Sequence, residues 1–255
     1  ERAPIFLRFR GPLRFPLSTC NLTLFSISRL YKVAKQVRQN KSAGFQNMRN
    51  LYLPGRSTVH APNGMAATSH PLATTAALDI LRCGGNAMDA AIAAVAVQCV
   101  VEPQSTGIGG DCFCLYSPKG KGVIAFNGSG TAPAAATVEW YFENGIETIE
   151  QHSPHAVTVP GAIDAWSKLL TDHGTMSLGD ILQPAIGYAR EGAPINHRQW
   201  HDWKLSEGLL SNDPTSAAQF LVDGKAPELG TRVKLPLLAK TLEHIADQGM
   251  AELHG

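Results

Sequence analysis

The sequence lacks any apolar run of the roughly 20 residues that a helix needs to cross a bilayer, so no integral membrane segment is expected. Charge is sparse, at 17% of 255 residues, and aromatic residues make up 7%. With apolar residues at 44% this is the composition of a globular chain rich in glycine and alanine, and it excludes a disordered one. Cysteine is scarce too. The five (Cys20, Cys83, Cys99, Cys112 and Cys114) are an odd number without the spacing of a disulfide framework. Cys83 and Cys99 stand in apolar, helix-like runs and read as small core residues. Cys112 and Cys114 share one face of a strand-like run, but no second Cys/His pair follows at finger-like spacing, which disfavours zinc.

Acid is nearly missing from the first fifty residues, where Glu1 stands against ten Lys and Arg. The rest of the chain holds twelve basic and twenty acidic residues, an acidic body that argues against a nucleic-acid partner. The first methionine is Met48. Three readings of the stretch before it stay open: an Arg- and Ser-rich transit peptide, part of a longer N-terminus, or sequence upstream of a start at Met48. The last is preferred. Residues 1–56 are therefore read as a basic extension outside the fold, and 57–255 as a partial domain. No n-region, apolar h-region and cleavage site is visible around Met48, and a cytoplasmic location is expected.

Within the body, residues 57–70 alternate small and apolar residues about a Pro62-Asn63-Gly64 turn, which predicts a strand, a turn and a second strand. Pro71 suits a first helical turn, and Leu72, Ala76, Ala77, Ile80 and Leu81 form a helical stripe. Gly84-Gly85 ends that helix. Asn86 then caps a second, with Asp89 in its first turn. From Ala87 to Val101 this helix is apolar all round, which predicts burial in a layered interior. A glycine-rich loop (104–111) precedes a hairpin of Cys112–Tyr116 and Val123–Phe126, and Asn127-Gly128-Ser129-Gly130 reads as a tight loop. A strand is expected over His155–Val159, helices over 162–172, 178–191 and 236–248, and a surface excursion over 206–230. Helices mixed with hairpins, without regular βαβ units, indicate a layered α+β fold.

The residues alone point to no active site. Gly107-Ile108-Gly109-Gly110 follows a helix and precedes a strand, the reverse of a dinucleotide-binding turn, and its glycines read as positions of close backbone approach. His197 and His201 are four apart but lack the Glu that a zinc peptidase places after the first His; the histidines read as solvated or packing residues. Gly128-Ser129-Gly130 follows a strand as a nucleophile elbow would, but Pro133 comes soon after and no clear helix begins there.

Several separated blocks, taken in order, resemble the γ-glutamyltransferase (γ-glutamyltranspeptidase, glutathione hydrolase) family. They run from Met65 to Ala73 (MAATSHPLA), from Ile80 to Ala93 (ILRCGGNAMDAAIA), and from Glu102-Pro103 into Gly107-Ile108-Gly109-Gly110. Val159-Pro160-Gly161, Gln183-Pro184-Ala185-Ile186 with Ala189 to Gly192, and Leu238 to Leu242 with Ile245-Ala246 and Gly249 continue the series. The resemblance implies the large-subunit portion of an N-terminal nucleophile hydrolase, a four-layer αββα sandwich made as a self-cleaving precursor. It implies a nucleophilic threonine at the start of a small subunit beyond residue 255, whose own amine acts as base. That threonine attacks an amide and passes the acyl group to water or to an amino acid. On this reading no catalytic residue lies in this chain, and the chain alone is inactive. No metal or cofactor is implied; the partners are its own small subunit and γ-glutamyl compounds such as glutathione, or related acyl amides.

One stretch departs from the family. An arginine shortly before an Ala-Pro pair grips the substrate α-carboxylate in typical members, a role suited to a bidentate guanidinium. Here residues 126–133 read FNGSGTAP, with no arginine. Ser129 and Thr131 are left as candidate substrate contacts, offering hydroxyls without charge. An acylase of the cephalosporin or glutaryl-amide kind is the alternative, and a non-catalytic scaffold a third reading. Half a layered sandwich should leave an apolar sheet face uncovered, so residues 57–255 alone are expected to aggregate.

Overall fold

The computed structural model describes residues 59–249. The basic extension 1–56 and the first residues of the expected 57–70 strand pair lie outside that range. The described elements are helices α1 (Pro71–Arg82) and α2 (Ala87–Val101), a hairpin of β1 (Cys112–Tyr116) and β2 (Ile124–Gly128), and short α3 (Val138–Glu143). A 3-10 turn (Pro154–Ala156), α4 (Ala162–His173), α5 (Leu178–Glu191) and β3 (Ala193–Pro194) follow. The described part closes with α6 (His197–Ser211), α7 (Pro214–Phe220), β4 (Arg232–Val233) and α8 (Pro236–Gln248).

The core is a stack of helices. α2 packs against α1 on one side and α5 on another, α8 covers α5, and α4 joins α2 to the hairpin. α2 buries Met88, Ala90, Ile92, Ala93, Ala94, Ala96, Val97, Cys99, Val100 and Val101, so its apolar circumference is matched by neighbours on nearly every side. The neighbouring helices turn one stripe inward: Ala73, Ala76, Ala77 and Ile80 from α1, Ile181, Leu182, Ala185, Ile186 and Ala189 from α5, and Ala239, Leu242 and Ile245 from α8.

The α1–α2 corner is set by local chemistry. Gly84 sits at φ 97°, which an L side chain rarely adopts, and a Cβ on Gly85 would meet Ile80 Cγ2 at 2.6 Å and Met176 Sδ at 2.8 Å. Asn86 Oδ1 then accepts from Met88 N (2.7 Å) and Asp89 N (3.2 Å), while Asp89 Oδ2 accepts from Asn86 N (2.7 Å), a reciprocal capping box. Asp89 is wholly buried, and it also accepts from Thr175 N (2.9 Å), Thr175 Oγ1 (2.6 Å) and Met176 N (3.3 Å), tying α2 to the turn before α5. Burial alone would push its carboxyl up. The Thr175 hydroxyl and the three backbone N–H groups outweigh that and hold it below the ordinary aspartate value.

Strand β1 pairs antiparallel with β2, Cys112 opposite Gly128 and Tyr116 opposite Ile124. Cys112, Cys114, Tyr116 and Phe126 turn toward the helices, whereas Phe113 and Leu115 point outward at 69% and 65% exposure. The second sheet is equally small, with Ala193 and Pro194 opposite Val233 and Arg232.

Helices at 71–82, 162–173, 178–191 and 236–248, the all-buried helix 87–101 and the hairpin follow the sequence reading. Three expectations need correction. Residues 59–69 form no strand: the chain bends at Pro62–Asn63, and no ladder partner runs beside it among the described residues. Residues 155–159 are not a strand either, because Pro154 opens a 3-10 turn and Val159 makes a single backbone bond, to Thr131 O (2.9 Å). The expected surface excursion 206–230 is largely exposed, and within it run the end of α6 and all of α7, whose caps are Asn196 and Asp213. Finally, β2 continues through Asn127 and Gly128, so the tight loop begins at Ser129.

Candidate substrate-binding site

Three segments meet where β2 ends. Asp111 Oδ1, at the foot of β1, accepts from Gly130 N (3.3 Å) and from Thr158 Oγ1 (3.3 Å). Thr131 O accepts from Val159 N (2.9 Å). Gly110 O accepts from Gly161 N (3.1 Å) and Ala162 N (2.9 Å), which fastens the start of α4 to the glycine-rich loop. The segments touch through glycines. A Cβ on Gly161 would come within 2.5 Å of Gly128 O and 2.9 Å of Gly130 N, and one on Gly130 would collide with the Val159 carbonyl. No side chain fits at this crossing, so Val159-Pro160-Gly161 and Gly128-Ser129-Gly130 define one another's path. The sequence pattern placed close approach at Gly107, Gly109 and Gly110 instead. The structure corrects this: a Cβ on Gly107 or Gly109 would meet nothing within 4 Å, and one on Gly110 only ordinary contact with Gly107 O.

Ser129 and Thr131 stand together on this braced loop, both exposed. Ser129 N donates to Asn127 Oδ1 (3.0 Å), an Asx-type turn that fixes the loop entry, and Ser129 Oγ donates to Gly130 O (3.3 Å). A hydroxyl donating to a neighbouring carbonyl has no base drawing off its proton, so the nucleophile-elbow arrangement is absent at Ser129. The loop holds Ser129 and Thr131 as neutral hydrogen-bonding groups, with no arginine or lysine in 126–133. Asp111 and Thr158 went unnoticed in the sequence. The only signals were a lone carboxylate closing a glycine run and a threonine beside Val159-Pro160-Gly161.

A second polar cluster joins the start of α1 to the end of α2. His70 Nδ1 accepts from Leu72 N (3.1 Å) and so caps α1. Ser69 Oγ donates to the Glu102 carboxylate, and Gln98 Nε2 donates to Ser69 Oγ (2.7 Å) and Glu102 Oε2 (3.3 Å). Burial lowers the His70 pKa, and the nearby Glu102 charge offsets this only in part. That suits the cap, since Nδ1 can accept only while its lone pair is free. Three cysteines are inert: burial pushes Cys99 up to about 11 and raises Cys112 and Cys114 as well, so these thiols stay protonated near neutrality, whereas Cys83, expected in the core, is exposed at the end of α1. Among the described residues no three His, Cys, Asp or Glu side chains gather as a metal site would require, and His197 and His201 share one turn of α6 without further ligands.

This arrangement defines a helix-and-hairpin scaffold that presents a neutral, glycine-braced loop. Its family follows from comparison with known proteins. The family described as Gamma-glutamyltranspeptidase matches residues 73–255, and the chain belongs to that family. It is 38% identical over 192 residues to the "Glutathione hydrolase-like YwrD proenzyme" of Bacillus subtilis, covering 74% of this chain and 36% of the relative. It is also 38% identical to the "Oxamate amidohydrolase proenzyme" of Klebsiella pneumoniae, with coverage of 74% and 36%. Among solved structures it resembles a cephalosporin acylase from Bacillus halodurans (TM-score 0.73, 40% identity, 80% of this chain and 39% of that one). It also resembles the γ-glutamyltranspeptidase of Helicobacter pylori (TM-score 0.70, 28% identity, 76% and 56%). The chain spans about a third of the length of the curated relatives it matches.

Proposed function

We propose that this chain is the large-subunit portion of a self-cleaving amidohydrolase precursor. The complete product would hydrolyse or transfer acyl groups through a threonine on a small subunit beyond residue 255. The loop carrying Ser129 and Thr131 would line its acyl pocket. Relatives named as proenzymes, several of them acylases or amidohydrolases, support this reading. In the expected four-layer sandwich, the small subunit would cover the outer face of the hairpin, where Phe113, Leu115 and Val123 lie bare.

The observation that carries the substrate choice is that residues 126–133 hold no cation and are braced by the Asp111 carboxylate. A γ-glutamyl group brings an α-carboxylate, and a carboxylate taken out of water needs a cation or several donors. Residues 126–133 offer two hydroxyls and backbone N–H groups, of which Ser129 N and Gly130 N are already engaged. An acyl group without a charged α-carbon suits this loop better, and relatives named as acylases and as an oxamate amidohydrolase support such a substrate. The test is expression of the full-length gene. It should yield two polypeptides, the smaller beginning with threonine, and hydrolyse glutaryl or simpler acyl amides faster than γ-glutamyl-p-nitroanilide. An uncut, inert product would overturn the reading. A preference for the γ-glutamyl amide would restore glutathione as the substrate.

A further inference from the structure

Just past the braced loop lies a cavity of about 160 Å³, lined by Pro133, Trp140, Tyr141, His155 and Val157 together with two alanines. Its position is fixed by the brace: Pro133 follows Thr131 by two residues, Val157 precedes Val159 by two, and Thr131 O accepts from Val159 N (2.9 Å). The cavity therefore adjoins the loop segment that carries Thr131.

Its walls are aromatic and mutually ordered. Trp140 and Tyr141 meet edge to face at 5.4 Å between ring centroids (80°), Tyr141 and His155 at 5.6 Å (90°), and Trp140 and His155 at 5.7 Å (57°). Such spacing is the favourable range for rings of opposed quadrupole, so the three rings hold one another in place without a filled interior. Trp140 keeps 39% of its surface exposed although it lies on the capped helix α3, with Thr137 Oγ1 accepting from Trp140 N (3.2 Å). A large aromatic side chain held half in water beside a cavity of this size is a surface awaiting a flat apolar group. The volume matches one six-membered ring: an engineered apolar cavity of about 150 Å³ takes up benzene.

Resting on the amidohydrolase reading above, we infer that this pocket is a subsite for a ring-bearing group, aromatic or cyclic aliphatic, carried by the amide substrate. The walls are mostly apolar, their polar side-chain groups being the Trp140 indole N–H, the Tyr141 hydroxyl and the His155 imidazole, and no Asp, Glu, Lys or Arg lines them, so the occupant is uncharged, and the hydroxyls of the adjoining loop, Ser129 and Thr131, would meet the polar link between ring and amide. The substrate class is thus an amide with a neutral cyclic substituent rather than a small dicarboxylic or γ-glutamyl one.

The test uses the self-cleaved product of the full-length gene and two matched pairs: phenylacetylglycine against acetylglycine, and N-benzylacetamide against N-methylacetamide. Released amine is measured for each. The first pair places the ring on the acyl side, the second on the amine side. Burying a ring should raise kcat/KM roughly 10- to 100-fold over the ringless partner in one pair. Trp140→Ala should bring that ratio close to one. Trp140→Phe, which keeps a ring wall and guards against a folding artefact, should retain most of it. Ratios near one in both pairs, or a ratio indifferent to Trp140→Ala, would overturn the subsite even if the ringless amides are turned over. A protein that stays uncut and turns over no amide indicts the underlying reading instead. The pocket is then judged by saturation-transfer NMR with phenylacetamide. A transfer signal that vanishes in Trp140→Ala upholds the subsite, and no signal from the unaltered protein rejects it. A pocket filled by the protein's own downstream chain would give no signal either.

Discussion

The helical stack and the hairpin-loop region are built by opposite rules. Buried residues occur throughout 70–102 and again from Ala162 onward, yet from Pro103 through Gly161 no residue is buried. The same stretch exposes Phe113, Leu115, Val123, Val138, Trp140, Phe142, Ile149, Val157 and Val159. The first region satisfies itself with apolar stripes and capped helix ends. The second is held by hydrogen bonds and glycine contacts and leaves its apolar side chains in water. In this fold, rigidity of the site comes from the backbone brace, whereas stability comes from the helices behind it.

If that division is right, substitutions in the stack should cost stability first. The largest effects are expected at Asp89, where removal leaves four donors unanswered, and at Leu242 in the helical core. Asp89→Ala in the full-length protein should lose about 2–4 kcal/mol, measured by chemical denaturation. Leu242→Ala, which opens a cavity in the fully buried α5–α8 seam, should lose about 2–5 kcal/mol. The Asp89 carboxyl also carries a pH signature. Its folded pKa lies below the unfolded value of about 3.9, so its contribution is complete above that pH and is lost as pH falls through the depressed folded value. Asp89→Asn should flatten that acid limb of the stability curve. An unchanged limb would show that Asp89 is not what welds α2 to the turn at Thr175.

The same division explains what could be read in the sequence. The stack was legible because its signals are local: the stripe from Leu72 to Leu81, the Asn86/Asp89 box, and the apolar circumference of 87–101 each fix structure within a few residues. The site half was legible only in part. The hairpin declared itself by alternation, but the brace depends on Asp111 reaching Gly130 and Thr158, contacts 19 and 47 residues apart. The strand expected over 155–159 failed for a related reason: alternation is a propensity, and a strand also needs a partner with free N–H and C=O groups. Nor did polarity show that the surface excursion 206–230 is helical in part, because Asn and Asp serve loops and helix caps alike.

A substitution in the site half should change specificity more than stability. Thr131→Arg introduces a guanidinium shortly before the Ala132-Pro133 pair, where the stretch 126–133 has none. It should raise kcat/KM for γ-glutamyl-p-nitroanilide roughly 10-fold or more relative to a neutral acyl amide, a scale set by charge-assisted hydrogen bonds. The denaturation midpoint should hardly move, since Thr131 is exposed and its structural contribution is its backbone carbonyl. A large loss of stability without a change in preference would mean that the loop is structural and does not face the substrate.

The smallest effect on folding is expected at Phe113, and it tests the comparison most sharply because its sign should depend on context. Phe113 is 69% exposed on the outer face of the hairpin, opposite exposed Asn127, so Phe113→Ser removes no buried contact within this chain. For residues 57–255 expressed alone, which are expected to aggregate, the soluble fraction should rise because an apolar patch is diluted. In the full-length product, where we propose that the small subunit covers this face, the same change deletes a buried phenyl group and should cost about 1.5–3 kcal/mol. Thermal melts of the full-length product and the soluble fraction of residues 57–255, each with and without Phe113→Ser, check this. If the substitution were equally silent in both, the outer face would be an ordinary solvent surface, and the bare side chains of Phe113, Leu115 and Val123 would lose their common explanation.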